Sequence, residues 1–447
     1  MTSSHRPETT SQRPPPWGEL QAEAHLRSLE LFGMRFGLDR MRRMMTVLGS
    51  PERRYDSIQV LGTNGKTSTT RMIAAILERH GLRTAAYTSP HLVSYRERLR
   101  VSEADMSGKD FARAIARAAW AAERVNRTLA GEDHVTQFEL LTAGALWQIA
   151  ERGAQVAVVE AGLGGRYDAT SVIDARLTVL SSVGLEHTRW LGPTVRDIAE
   201  EKLAVVRPGG TLALGAGLDP DAIAVAERVA RERGARIVVA GVDGSADVPA
   251  TLAARGPFQR RNFALARLAA ETYLRGAGIE PDEHAVAQAA ASTEVPGRLQ
   301  VVAEDPLTVL DGAHNPEAVD ALVQSLPALL GERPLALVLG VLEDKDAASM
   351  LSSLLGECER AWFTAPPSAR ALSPAALQSL ARQLGFEQVA CEPRPARALA
   401  EAQRWARERS GAVLATGSVY LVGELLGNLF ERGAAQDSGG RRRRALS

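Results

Sequence analysis

The run Gly62-Thr63-Asn64-Gly65-Lys66-Thr67-Ser68 sets two glycines, an ammonium group and two adjacent hydroxyls on one short stretch, which is the chemistry of a triphosphate cradle. Glycine lets the backbone turn its N–H groups inward, Lys66 supplies a point charge for the β- and γ-phosphates, and Thr67 and Ser68 offer hydroxyls to a phosphate-bound Mg²⁺. The glycine spacing is shorter than in the usual phosphate loop, because Ile58 stands where that pattern has its first glycine. A tight turn alone would explain the glycines but not the lysine. Further segments carry groups suited to the same site. Ser89 and His91 follow an apolar run, within a Ser-Pro sequence that ordinary turn chemistry explains equally well. Glu160 ends the run 156–160 and precedes a glycine-rich loop. Mg²⁺ takes few oxygens from protein, and a carboxylate between Val159 and Ala161 is costly to bury without such a partner. Arg166 and Asp168, in the same loop, either orient a substrate or pair with each other. His187 could reach the cation, although a lone histidine is more often a hydrogen-bonded structural residue. Lys202 lies on a helix expected over 194–206, one face of which would return it to the site; the solvated reading is otherwise the default. Asp311 suits a ribose or a water, His314 a phosphate or a reacting group, and Arg298 would cover the triphosphate if two domains closed and excluded water.

These groups need a scaffold that gathers strand ends. Short runs rich in Val, Ile and Leu alternate with longer helical patterns, the signature of an α/β fold with a mostly parallel sheet covered by helices. Strands are expected at 58–61, 84–87, 156–160, 177–181, 211–214 and 236–239, with a helix over 67–80 aiming its N-terminus at the phosphates. A second series, at 308–310, 335–339, 361–363, 388–390 and 413–415, begins after Pro296-Gly297. The restart implies a boundary near residue 296. An ATP-binding phosphate-loop domain is expected over 18–296, and a smaller, Rossmann-like α/β domain over 297–433. Polar segments 1–17 and 434–447 show no hydrophobic period and are expected to be disordered tails. The runs 335–339 and 413–415 end in glycine turns at a carboxyl edge, where open α/β folds place ligands, so the second domain should face the nucleotide.

The 447 residues, 45% of them hydrophobic, can bury a large core, and 53 basic residues balance 53 acidic ones. That balance gives no general electrostatic grip on nucleic acid or membrane, and the arginines at 441–444 read as a solvated tail. Cys358 and Cys391 are too far apart for a metal or redox motif and too few for a disulfide framework, which fits a reducing cytoplasm. No apolar leader or membrane-length run is present, so the cytoplasm is the expected address. A nucleotide and Mg²⁺ shared by two α/β domains, with no Ser-His-Asp or Cys-His arrangement, point to phosphoryl transfer. A kinase, a nucleotide-driven switch and an ATP-dependent ligase all need such a site.

The ordered set of Gly62 to Ser68, Thr88-Ser-Pro-His-Leu92, Thr136-Gln137-Phe138-Glu139, Glu160 to Arg166, His187 with Leu191-Gly192, Glu201-Lys202, Pro296-Gly-Arg298, Asp311 to Pro316 and Gly417 to Gly423 resembles the folylpolyglutamate synthase and dihydrofolate synthase family, a branch of the Mur ligases. The likeness runs from about residue 25 to about 430. It implies that ATP phosphorylates a pterin-linked carboxylate and that L-glutamate attacks the acyl phosphate, giving an amide, ADP and phosphate. It further implies that residues 62–68, Asn262, Arg298 and Asp311 bind ATP, that Ser89, Glu160 and His187 ligate Mg²⁺, and that Lys66, Lys202 and His314 serve the chemistry. Lys202 matches a lysine that the family carbamylates. His91, Thr136, Gln137, Phe138, Glu139, Arg166, Tyr167 and Asp168 match segments that contact the pterin. Thr67 departs from the glycine frequent in the folate branch and is similar to the Mur enzymes. Glu186 stands where Asp is usual, and Phe258 where His is common. None of these removes an expected ligand. The segment before Lys66 is too short for the nucleotide-sugar domain of a peptidoglycan ligase, and a non-catalytic relative would be expected to lose Lys66 or Glu160. The resemblance therefore implies a monomeric enzyme acting on dihydropteroate and reduced folates, with a polyglutamate-only activity as the alternative.

Overall fold

Strands that are apolar at every position must be covered on both faces, and that requirement shapes both sheets of this chain. The computed structural model describes residues 16–29, 37–131, 133–241 and 248–444. Among these, the first sheet contains β1 (Asp56–Leu61), β2 (Thr84–Tyr87), β3 (Leu99–Val101), β4 (Ala104–Asp105), β5 (Val156–Glu160), β6 (Leu177–Leu180), β7 (Thr211–Leu214) and β8 (Arg236–Val239). Their spatial order is β4-β3-β2-β5-β1-β6-β7-β8, parallel except for the antiparallel edge pairs β2/β3 and β3/β4. The second sheet contains β9 (Gln300–Glu304), β10 (Leu307–Leu310), β11 (Leu335–Leu339), β12 (Arg360–Phe363), β13 (Val389–Cys391) and β14 (Ala412–Thr416), ordered β13-β12-β11-β14-β10-β9. Only the β9/β10 hairpin is antiparallel there.

The period of two decides the layers. Val156 and Val158 face one core with Ile58, Val60, Ile73 and Phe263, under helices Lys66–Arg79 and Pro257–Gly276. Ala157 and Val159 face the other, with Tyr87, Phe111 and Leu146 from helices Gly108–Asn126 and Gln137–Glu151. In the second sheet Leu335, Leu337 and Leu339 turn one way, and Ala336 and Val338 turn the other.

From β1 the chain steps one way to β2, β3 and β4, returns to insert β5 beside β1, then steps the other way to β6, β7 and β8. The reversal opens a crevice at the carboxyl ends of β1, β5 and β6, where doubly wound sheets bind ligands. All the expected strands form. The sequence reading did not foresee β3, β4 or β9, which are short, polar or half-exposed edge strands. The backbone helix Val419–Arg444 extends beyond residue 433, into the stretch read from the sequence as a tail without hydrophobic period. Residues 1–15 and 445–447 of the expected tails lie outside the described residues.

Candidate active site

The phosphate loop is set by backbone that only glycine adopts without strain. Gly62 has φ 150° and Gly65 φ 84°. A Cβ on Gly62 would lie 2.0 Å from Ser181 Oγ, and one on Gly65 would lie 2.4 Å from Asn262 Oδ1. The loop is thus pressed between β6 and the helix Pro257–Gly276. Lys66, first residue of its helix, folds back so that Nζ donates to the carbonyls of Gly62 at 3.1 Å and Thr63 at 3.0 Å. Lys202 reaches the same Gly62 carbonyl with its Nζ at 2.9 Å. It is buried, and burial together with the charge of Lys66 brings its pKa down to about 7.

Glu160 closes the floor at the end of β5, 1% exposed. Thr67 Oγ1 lies 2.9 Å from each carboxylate oxygen, and the Ser89 amide donates to Oε2 at 3.1 Å. Burial raises the Glu160 pKa, while Lys66, these hydrogen bonds and Arg298 oppose the rise. Asp311, following β10, accepts the amides of Leu299 and Ala313 at 2.8 Å each. Burial raises its pKa against the charge of Arg298. The Arg298 guanidinium therefore acts on acids from both sheets.

Across the cleft, Asn64 and Asn315 form a reciprocal side-chain amide pair at 3.3 and 3.0 Å. Lys345 Nζ contacts Glu186 Oε1 at 2.8 Å, and His314 Nε2 lies 3.3 Å from the same oxygen. His314 Nδ1 carries a proton, since its partner at 2.8 Å is the Gly312 carbonyl, which can only accept. Burial works to raise the Glu186 pKa, but the contacts from His314 and Lys345 outweigh it and hold the carboxyl well below its usual range. His187 sits beside Glu186 with left-handed backbone, φ 54°. Burial lowers its pKa.

Both sheets enclose a cavity of about 1050 Å³. Thr63 to Ser68, Ser89, Glu160, His187, Asn262, Arg298, Asp311 and His314 all line it. At its other end stand Thr136, Gln137, Phe138, Glu139, Tyr167 and Asp168. Thr136 and Glu139 also form the capping box of the helix Gln137–Glu151. Asp168 accepts the Leu163 amide at 2.7 Å, and burial raises its pKa. Gly62 and Lys202 stand just behind the lining.

His91 and Arg166 are not brought to the cavity. His91 is half-buried, its Nδ1 accepting from Arg98 Nε at 3.0 Å, and burial followed by the Arg98 charge drives its pKa down to about 3. Arg166 pairs with Glu201 at 3.1 Å, not with Asp168. In their place the structure supplies Arg98 at the cavity wall and Glu186, Lys345 and Asn315 across the cleft. The buried Arg40, whose Nε lies 3.0 Å from both Glu139 oxygens, was also missed. Glu186 and Asn315 carried a local signal, lying in the segments that follow β6 and β10, and Lys345 follows β11 at a carboxyl edge; Arg98 and Arg40 carried none.

A phosphate-loop sheet and a second α/β sheet closing on one shared cavity define a two-domain, Mur-type ATP-dependent ligase. Residues 297–419 match the Mur ligase, glutamate ligase domain. The chain is 33% identical over 365 residues to folylpolyglutamate synthase of Lacticaseibacillus casei, covering 76% of this chain and 84% of that protein. It is 34% identical over 358 residues to dihydrofolate synthase/folylpolyglutamate synthase of Escherichia coli K12, covering 78% and 81%. Mycobacterium tuberculosis folylpolyglutamate synthase complexed with ADP superposes with TM-score 0.82 at 29% identity, over 92% of this chain and 98% of that one. E. coli FolC in complex with DHPP and ADP gives TM-score 0.81 at 29% identity, over 93% and 98%. The chain belongs to the folylpolyglutamate synthase and dihydrofolate synthase family, and it is an ATP-dependent ligase. Among the described residues, no helix is long and apolar enough to cross a membrane.

Proposed function

We propose that this chain joins L-glutamate both to dihydropteroate and to reduced folates, activating each acceptor carboxylate as an acyl phosphate. The observation that supports this best is the convergence of Lys66 and Glu160 from one sheet with Arg298, Asp311 and His314 from the other on a single cavity. Residues 62–68, Asn262, Arg298 and Asp311 take ATP, with the triphosphate over the loop amides and the N-terminus of the helix Lys66–Arg79. The end of the cavity carrying Gln137, Phe138, Tyr167 and Asp168 takes the pterin. The fold divides near residue 296, and the protein acts as a cytoplasmic monomer on small molecules, with no nucleic-acid or membrane partner.

A carboxylate is a poor electrophile. The γ-phosphorus gains a bond to the acceptor carboxylate oxygen as its bond to the β-γ bridging oxygen breaks and ADP leaves. The glutamate amine then forms a C–N bond to the acyl carbon, the C–O bond to phosphate breaks, and the amine sheds its proton. Lys66 and Arg298 neutralise charge during the first step, in a cleft from which the paired domains exclude water. His314 stands at the γ-phosphate side, its ring fixed by the Gly312 carbonyl.

Hard oxygens of Glu160, with Ser89, suit Mg²⁺ in kind, and the His187 nitrogen would be its softer, borderline ligand. No cluster of three or more His, Cys, Asp or Glu occurs among the described residues, which fits a cation that draws most ligands from phosphate and water. When bound it would withdraw charge from the phosphoryl oxygens. A Lys202 pKa of about 7 leaves an appreciable share as free amine, the form that can be carbamylated.

The test is glutamate-dependent ADP release by the purified protein, with dihydropteroate and tetrahydrofolate compared as acceptors. Release with both supports the bifunctional reading, and release with one alone reduces it to a single activity. Lys66→Ala should abolish release with either acceptor while preserving the fold; sustained turnover would remove the phosphate role.

A further inference from the structure

A second cavity, of about 190 Å³, shares no lining residue with the active site. It lies between the helix Lys66–Arg79, the edge strands β2 and β3, and the segment from Ser292 to Pro296. Arg71 and Arg100 both face it. Arg71 Nε is buried without a hydrogen-bond partner, and among the described residues Arg71 forms no ion pair. Arg100 uses one Nη on the Glu103 carbonyl, while its Nε lies 3.4 Å from Asp105 and makes no hydrogen bond. Of the two acids in the cavity wall, Glu103 is already engaged by Arg79, and Glu294 is exposed to solvent. Burial, then the like charge of Arg100, pushes the Arg71 guanidinium down to about 10.

Two guanidiniums lining one small cavity, of which Arg71 has no described acid within ion-pair distance and only the more distant pull of Asp105, Glu97 and Glu160, are costly to enclose unless an anion joins them. The volume equals about six waters at roughly 30 Å³ each, enough for a small oxyanion and too little for a nucleotide. The neighbouring hydroxyls add no donors, because Thr84 donates to Glu78, Ser292 to the Gln288 carbonyl and Thr293 to the Ala289 carbonyl. Binding must therefore rest on the arginines, whose planar forks match oxyanion geometry. We propose that this cavity is a second ligand site of the enzyme, which takes a small tetrahedral oxyanion of the phosphate or sulfate kind between Arg71 and Arg100.

Selenate serves as the probe, titrated calorimetrically into protein saturated with Mg²⁺ and a non-hydrolysable ATP analogue, so that the β- and γ-phosphate positions are already filled. One saturable binding event is expected. Arg71→Met should weaken it about ten-fold or more, the loss of a charge-assisted hydrogen-bond set. If circular dichroism shows that Arg71→Met is unfolded, Arg100→Gln gives the same reading. Anomalous diffraction from a selenate-soaked crystal should place selenium between the two guanidiniums. Absence of saturable binding in the wild type, wild-type affinity in the folded variants, or selenium found only elsewhere would each overturn the proposal.

Discussion

Replacing Lys345 by methionine tests the link across the cleft. Lys345 and Glu186 are 9% and 11% exposed at their side chains and meet at 2.8 Å, one from each sheet. Removing one partner of a buried pair commonly costs about 3–5 kcal/mol, because the other charge stays desolvated. Two features reduce that figure here. His314 still lies 3.3 Å from Glu186 Oε1, and opening the cleft would rehydrate the carboxylate. An effect of ~1–3 kcal/mol on the closed arrangement is therefore expected, equivalent to about 5–150-fold. It should fall on closure more than on the folding of either sheet, each of which keeps its own apolar layers. The assay is kcat/KM for ATP by ADP release, alongside the radius of gyration from small-angle scattering and the thermal unfolding profile. Lys345→Met should lower kcat/KM by that factor and expand the particle, with Lys345→Arg in between. Unchanged kcat/KM together with a superimposable scattering curve would refute the reasoning. The pH dependence follows the same contact. The folded Glu186 carboxyl ionises below the ordinary glutamate value of 4.5, so its contribution is complete above that pH and is lost only as pH falls through the lower folded value.

Glu160→Gln keeps the shape but removes a hard charged oxygen, and the Mg²⁺ concentration for half-maximal ADP release should rise at least ten-fold; an unshifted titration would end its role as a ligand. Folded Lys202 loses its proton near 7, the unfolded side chain near 10.5. Between those values the unfolded chain binds more protons, so stability should climb with pH, by up to about 1.4 kcal/mol per unit. Urea unfolding at about pH 7 and about pH 9, without bicarbonate, should show this climb in the wild type and lack it in Lys202→Met; parallel behaviour of the two proteins would contradict the burial of an uncarbamylated amine. A Cβ on Gly423 would lie 2.0 Å from the Leu92 carbonyl oxygen, whereas one on Gly427 would meet only Val93 Cγ1 at 3.7 Å. Gly423→Ala should thus cost about 1–3 kcal/mol in thermal unfolding and Gly427→Ala should be tolerated, with equal melting of the two variants counting against the helix docking.

The fold class and nearly every buried strand were legible because their signal is local. A run such as Leu335–Leu339 is apolar throughout and followed by glycine, and nothing distant is needed to read it as a covered parallel strand. The phosphate loop was legible for the same reason, since Gly62, Gly65 and Lys66 do their work within one turn of chain. Strands β3, β4 and β9 escaped because edge strands mix polar and apolar residues and depend on a neighbour for their hydrogen bonds. His91 stands outside the cavity lining for a related reason: its motif carried the expectation, while Arg98, further along the chain, holds its ring nitrogen.

The amino-acid sequence by itself therefore determined the α/β layering, the phosphate loop and the acids that end the central strands, all of them features fixed by period, glycine or a neighbouring residue. Tertiary structure alone decided which charges meet. Glu186 finds Lys345 159 positions away, Asn64 finds Asn315 251 positions away, and Arg166 turns to Glu201 instead of the nearby Asp168. Ion pairs and amide pairs act over a few ångströms and leave no periodic trace along the chain, so only the strand order that folds the two sheets onto one cleft could select these partners.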